Sequence, residues 1–578
     1  MLLTGLLGSC ALKDEAKIDA LAAKVVGALP EEWPEEEMIS QFVERARPNP
    51  DQLAEIQILR VGLGHIPEIN TATSFDSDTL YVLHTLYIGL SRQEPVSKTF
   101  LPALAKKWEV SEDQLTWTFT LRPDITWVFF NNKTNQVEKV LDRDGKTIFV
   151  TADDVRTNIL RVLDPSSSSP HTFLLFDIVN AEEYHAATQG ADTVGVEAVD
   201  AQTLVITLEK PMPALDAIAE LPIMAAYPSW LDQNTYDYDR APYHYGYGPY
   251  VLWKYGFNNT TVLVRNPFWK GSDAVPEPIL DEIQIFHDPY QYAIEKFIEE
   301  ELDVAPISFS DYMEINEDPQ LKDALKQVDG RCGMYLMFKN IDEGSLSDVN
   351  NRLAVAYAID KQALVDEVFL GAAKVLNQFA LPNLRAADYA DSVMGIPYDE
   401  KLAQAILNTE LWPEDGSEKI QFHISTGILQ KGLGEQVKKD IEDTLNRELQ
   451  ATAPSSGSYF ESVKEQESSA MFYFMYCLDY ADAHNLWDIW SADGFLNEYL
   501  GVTTEYDTYL SLLDQARQTS NAHTRKEIYR QLEVMMIEEQ ALVIPLVQFD
   551  VEWLVRPNVR GEILPLFQQF ENWWIAKE

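Results

Sequence analysis

The chain is poor in basic residues, in cysteine and in histidine. Its 578 residues carry 45 Lys and Arg against 92 Asp and Glu, a formal net charge of −47. Binding to nucleic acid needs a basic footprint that displaces counterions from phosphate, so this balance excludes it. The same self-repelling charge suits a soluble protein outside the cell. The three cysteines are Cys10, Cys332 and Cys477, and neither they nor the nine histidines fall at metal-ligand spacing. No motif calls for a cofactor: there is no P-loop, no Rossmann glycine pattern, no G-x-S-x-G and no H-E-x-x-H. Past the N-terminus no run approaches the roughly 18 apolar residues of a transmembrane helix.

What is present is apolar and aromatic bulk. Hydrophobic residues make up 46% of the chain, with 13 Trp, 26 Tyr and 25 Phe, which excludes a disordered protein. A chain of this length exceeds one core, so at least two lobes are expected.

Residues 1–9 are apolar and end on small residues directly before Cys10. From Ala11 to Ile56 the pattern is charged, with five acids between Glu31 and Glu37, and reads as an acidic spacer. Alternation predicts strands at Ile58–Leu63, Thr116–Leu121 and Leu204–Leu208. Residues 126–150 read as a hairpin turning at Asp144-Gly145, with Asp142 and Asp144 as turn residues rather than calcium ligands. Thr151 and Asp154 open a helix in capping-box style, stopped by Asp164-Pro165. Leu80–Leu90 reads as a helix, and Tyr236–Tyr250, rich in Tyr with Gly246 and Gly248, as a loop suited to stacking on a ligand. Hairpin strands follow at Val251–Tyr255 and Thr261–Arg265, and another strand at Leu280–Phe286. Past Gly330 helices dominate: Asp360 caps one that Gly371 ends, and Thr524 with Glu527 caps another. Val543–Val555 closes the chain as a strand. Strands and helices mix without an internal repeat, so the class is α/β or α+β.

One stretch resists a purely structural reading. Met471–Leu478 is a continuous apolar run, as in a strand buried on both faces, and it leads to Asp479 and Asp482 with no Lys or Arg between Met471 and Trp490. An uncompensated buried carboxylate is very costly. Either distant Arg or Lys side chains meet these acids, or solvent does, or a ligand's cation does.

The order of segments resembles the bacterial family 5 extracellular solute-binding proteins of ABC transporters, the oligopeptide, dipeptide and nickel-binding group. The blocks that carry it are LAKKWEVSEDQLTWTFTLRPDITW (104–127), TADDVRTNILRVLDP (151–165), YGPYVL (247–252), VLVRNPFWKG (262–271), LDEIQIF (280–286) and LSDVNNRLAVAYAIDKQALVDEVFLG (346–371), followed by VIPL (543–546). The resemblance implies an α/β, two-lobe, periplasmic-binding-protein-like flytrap. Lobe I would hold residues 57–331 and 548–578, with an extra subdomain at about 91–205, and lobe II residues 332–547. Leu7-Gly8-Ser9-Cys10 resembles a lipobox, which makes residues 1–10 a signal remnant ending on the lipidated Cys10, and 11–56 the spacer to the body.

The same resemblance implies a monomeric, lipid-anchored extracytoplasmic receptor, not an enzyme, that delivers peptide to an ABC transporter permease. In oligopeptide-binding relatives the segment matching Met475, Tyr476, Cys477 and Asp479 binds the peptide backbone and its ammonium, and Tyr247 and Gly248 belong to the tyrosine-rich loop expected to contact ligand. Cys332 and Cys477 fall where some relatives carry a disulfide. Where the family carries an Arg shortly before the cysteine, this chain has Tyr473, which leaves open what meets a peptide's carboxylate. An oligosaccharide ligand, a nickel complex or other small cation, and a glycosidase using Asp479 and Asp482 are the alternative readings.

Overall fold

The computed structural model describes residues 48–577 except 232–243, 258, 273, 288–291, 308–310, 390–392, 418–419, 425–427, 453–458, 467–469, 492–505 and 565–566. Cys10, most of the expected spacer and much of the tyrosine-rich loop lie outside the described residues.

Among the described residues eleven strands build one mixed sheet. They are β1 (Ile58–Leu63), β2 (Tyr250–Phe257), β3 (Thr260–Arg265), β4 (Glu282–His287), β5 (Val304–Pro306), β6 (Leu325–Lys339), β7 (Ala373–Val375), β8 (Ile420–His423), β9 (Leu449–Thr452), β10 (Ala470–Cys477) and β11 (Val543–Val555). Their order is β2-β3-β4-β1-β5-β11-β6-β10-β8-β9, with β7 also paired to β11. β1 runs parallel to β4 and β5, and β8 parallel to β9 and β10. Leu59 and Val61 of β1 and Leu336 and Phe338 of β6 are wholly buried. Covering both faces of such strands with helices and loops is what a mixed α/β core requires.

Two long antiparallel strands carry the sheet from one half to the other. β6 has 15 residues and β11 has 13. Leu325–Asp329 pair with Asp550–Leu554 beside β5, and Cys332–Met337 pair with Val543–Phe549 beside β10. Between those halves Gly330 and Arg331 bulge from β6, since Asp329 faces Asp550 and Cys332 already faces Phe549. Gly330 is needed at that point: a Cβ there would lie 2.4 Å from the Phe549 carbonyl oxygen. Gln548 Nε2 donates to the Gly330 carbonyl at 2.8 Å and fastens the bulge.

A second sheet of four antiparallel strands, Ala105–Val110, Thr116–Leu121, Thr203–Thr207 and Val196–Ala198, packs with the helix Ala152–Leu163. Trp117, Phe119 and Leu121 face its core, as their alternation predicts. The expected capping box is present, with the Thr151 N–H and hydroxyl donating to Asp154 at 2.9 and 3.1 Å.

Several boundaries differ from the sequence reading. The 126–150 segment turns twice: the hairpin Val128–Asn131 and Gln136–Lys139 reverses before Asn135, and Asp142 closes a second turn by accepting from the Asp144 and Lys146 N–H groups at 2.9 and 2.8 Å. Short polar side chains favour both reversals. The helix expected at Leu80–Leu90 is Ser77–Leu86, because Asp76 caps it and accepts from the Thr79 N–H at 2.8 Å. The last helix begins at Ala522 with Asn521 as its cap, ahead of Thr524. β6 was hidden by the charged residues of its first half. The end of the expected spacer is docked on the body, the Ala54 N–H donating to the Ile575 carbonyl at 2.9 Å.

Candidate ligand-binding site

β10 is buried from Ala470 to Phe474 and then surfaces, Met475 being 44% exposed. One edge pairs with β6 along its length; the other pairs with β8 only at Ala470–Phe472. From Tyr473 to Cys477 that second edge has no strand partner among the described residues, and the Tyr473 N–H is met by the Tyr459 hydroxyl at 2.8 Å. An open edge of this kind accepts an extended chain through main-chain hydrogen bonds. Cys477 is joined to Cys332 on β6 by a disulfide between directly opposed residues, Cα atoms 4.0 Å apart.

The two aspartates that follow meet opposite fates. Asp482 is wholly buried and held by Arg385 Nε at 2.6 Å and Arg525 Nη2 at 2.7 Å. Burial alone would raise its pKa, but the two guanidiniums prevail and hold it below the usual range. Both cations come from far along the chain. Asp482 is therefore structural, and a glycosidase pair with Asp479 has lost one member.

Asp479 forms no ion pair with any described residue. Its Oδ2 accepts from the Tyr476 hydroxyl at 3.1 Å and from Asn485 Nδ2 at 3.4 Å, while its N–H donates to Asn485 Oδ1 at 3.0 Å. Burial, then Asp479 itself, pushes the Tyr476 phenol well above its ordinary pKa, so it stays a donor. These neutral contacts fix the carboxylate without cancelling its charge.

Asp479 lines a cavity of about 290 Å³. Cys477 and Leu478 form the same wall; Thr71, Ser74 and Phe75 come from the loop before the Ser77 helix; His171 and Phe173 come from the four-stranded region; Arg331 projects from the β6 bulge. Burial lowers the His171 pKa, Asp479 opposes that shift and Arg331 reinforces it. Arg331 and His171 were not singled out in the sequence. The available signal for Arg331 was its place beside Cys332, which the disulfide ties to the Asp479 segment.

Tyr247 and Gly248 correct the sequence reading. Tyr247 is 1% exposed, its hydroxyl donating to the Ile88 carbonyl at 2.7 Å and accepting from the Ala226 N–H at 2.9 Å. A Cβ at Gly248 would meet the Thr85 carbonyl oxygen at 2.6 Å, so this glycine serves close packing. Both belong to the core. A larger hollow of about 540 Å³ lies elsewhere, beside Arg60, Arg556 and Arg560. Asp303 and backbone carbonyls already satisfy its guanidiniums, so it is not the candidate site.

Residues 99–497 match the family model described as bacterial extracellular solute-binding proteins, family 5, middle. This chain belongs to that family. It is 24% identical over 514 residues to the dipeptide-binding protein DppE of Bacillus subtilis, covering 85% of this chain and 88% of the relative. It is 26% identical over 491 residues to heme-binding protein A of Haemophilus influenzae, covering 80% and 81%. Among solved structures, the unliganded open form of the periplasmic murein tripeptide-binding protein MppA superposes with a TM-score of 0.76 at 20% identity, over 92% of this chain and 99% of that one. The α/β architecture is thus the two-lobe fold, and the continuous strands β6 and β11 are what joins its halves. Relatives of similar identity are named for quite different ligands, so the ligand has to be argued from the cavity.

Proposed function

We propose that this chain is an extracytoplasmic receptor that captures peptides between its lobes and delivers them, chemically unchanged, to an ABC transporter permease. The observation that carries the reading is Asp479: a positioned carboxylate, without an ion pair among the described residues, lining a cavity at the end of a strand with an open edge. A peptide's ammonium supplies the missing cation and its backbone the missing strand. A neutral sugar supplies neither, and Tyr247, which favoured stacking, is in the core.

Lobe I comprises residues 57–331 and 548–578, with its subdomain at about 91–205, and lobe II residues 332–547; the cavity then lies between them. Ligand contacting both lobes shifts the open–closed equilibrium by its differential affinity. Cys10 is the lipidation site that anchors the receptor as a monomer. Mass spectrometry of the co-purifying ligand, with calorimetry on free and N-acetylated peptides, tests the reading. Peptides of unmodified mass and weaker binding after acetylation are expected; recovery of a non-peptide ligand alone would overturn it.

A further inference from the structure

In a chain with twice as many acids as bases, a cation facing a ligand cavity without a carboxylate partner stands out. Arg331 is such a cation. Its guanidinium forms no ion pair with a described residue; Nη2 donates to the Ser77 hydroxyl at 2.6 Å, which orients the group but leaves its charge intact. A guanidinium carries five N–H donors in a rigid fork matched to carboxylate. The Arg331 carbonyl accepts from the Leu478 N–H at 2.9 Å, so the backbone that bears the cation is bonded to the residue beside Asp479. The cavity thus has a fixed anion and a fixed cation, with Phe75, Phe173, Leu221, Ile223 and Phe567 as apolar wall. At about 290 Å³ it lies at the lower end of small-ligand sites, which run from about 300 to 1,000 Å³. That is room for the first residue or two of a peptide.

We propose that Arg331 is the anion-binding pole of the site and selects ligands with a carboxylate one or two residues from the α-ammonium held by Asp479. This rests on the peptide reading above and adds a substrate class to it. Two ligands present that chemistry: a very short peptide with a free terminal carboxylate, and a longer peptide with an acidic side chain at its first or second position.

Calorimetry separates these cases. The probes are alanine peptides of two to four residues as free acids and as amides, and the same amides with Glu at position one. The proteins are the wild type, Arg331→Gln and Arg331→Lys. On the wild type, amidation of the shortest bound peptide or loss of the Glu should weaken binding about 10- to 100-fold, the scale of a charged hydrogen-bonded pair. Arg331→Gln should erase that discrimination and Arg331→Lys should retain part of it. Discrimination by amidation alone assigns the carboxylate to the terminus; discrimination by Glu assigns it to a side chain. If acetylation weakens every peptide while Arg331→Gln changes none, the peptide receptor stands and the role of Arg331 falls. If no peptide binds, both fall. The comparison of acid with amide on the wild type stands even if a variant does not fold.

Discussion

Arg385 grips Asp216 through both terminal nitrogens, each at 2.6 Å, while its Nε holds Asp482 at 2.6 Å. Asp216 belongs to the lobe I assigned above, and Arg385 and Asp482 to lobe II. Arg525 completes a row of alternating charges by binding the same Asp482 oxygen, Oδ2, at 2.7 Å. Arg385 also lies 4.6 Å over the Phe100 ring, a cation–π contact. Under the lobe division proposed above the row would bridge the lobes, and none of its four residues lines the cavity beside Asp479.

Asp216→Asn should therefore lower unfolding stability while leaving the cavity beside Asp479 intact. Losing a charged, partly buried pair costs about 1.5–3 kcal/mol. The urea midpoint should fall accordingly, with calorimetry giving a peptide Kd close to that of the wild type. An unchanged midpoint would remove Asp216–Arg385 as a stabilising contact.

The two aspartates should separate cleanly. Asp482→Asn leaves two buried guanidiniums short of charge and should lower unfolding stability by about 3–5 kcal/mol. Asp479→Asn should leave the urea midpoint nearly unmoved and instead reduce affinity for free peptides by about 3–5 kcal/mol, less where water remains in the cleft. N-acetylated peptides should bind both proteins alike, because their pair is already broken; titration on the two proteins gives the cycle. A large stability loss in Asp479→Asn with no change in peptide affinity would reverse the assignment.

The different fates of these acids show what sequence could carry. The strands Ile58–Leu63, Thr116–Leu121 and Val543–Val555 were legible because strict alternation or continuous apolarity marks a buried strand directly. The conflict at Asp479 and Asp482 was legible too, as charge without local compensation. Its resolution was not: Arg385 and Arg525 lie 97 and 43 residues from Asp482, and only the fold brings them in. Arg331 was hidden for the same reason. Tyr247 misled because a tyrosine among glycines looks like a binding loop, whereas two backbone groups satisfy its hydroxyl in the core.

The disulfide closes a loop of 145 residues, Cys332 to Cys477. Chain entropy assigns such a loop about 5 kcal/mol at most. Cys332→Ala/Cys477→Ala should lower the urea midpoint accordingly, and reduction of the wild type should give the same midpoint. It should also loosen the strand edge beside Asp479, so peptide affinity should fall with stability. A double variant as stable as the oxidised wild type would show that the fold alone constrains β6 and β10.

One destabilising effect of acid should set in well above the ordinary carboxylate range, at His484. Burial, reinforced by Arg517, lowers its pKa from 6.5 to about 3. Neither ring nitrogen has a hydrogen-bond partner among the described residues. The unfolded chain therefore takes up a proton near pH 6.5, while the folded chain resists it down to about pH 3. The stability that His484 contributes is fully present above pH 6.5 and falls by about 1.4 kcal/mol per pH unit in that window. His84, also buried, has its pKa lowered well below 6.5 by burial and by Arg92, which adds a second decline of the same sign. Asp482 acts lower, since its depressed pKa makes it lose stability only below about pH 4. Buried Glu533 and Glu552, raised to about 8, and Glu220, raised to about 7, carry the opposite sign. The folded chain holds their protons and gains stability as pH falls. The comparison is therefore between urea midpoints of the wild type and a His484 variant at pH 7.5, 6 and 5. His484→Phe removes a titrating group without removing a side-chain hydrogen bond, so between pH 6 and 5 the variant should gain about 1.2 kcal/mol of stability relative to the wild type. Parallel curves for the two proteins would show that His484 gains its proton equally in both states.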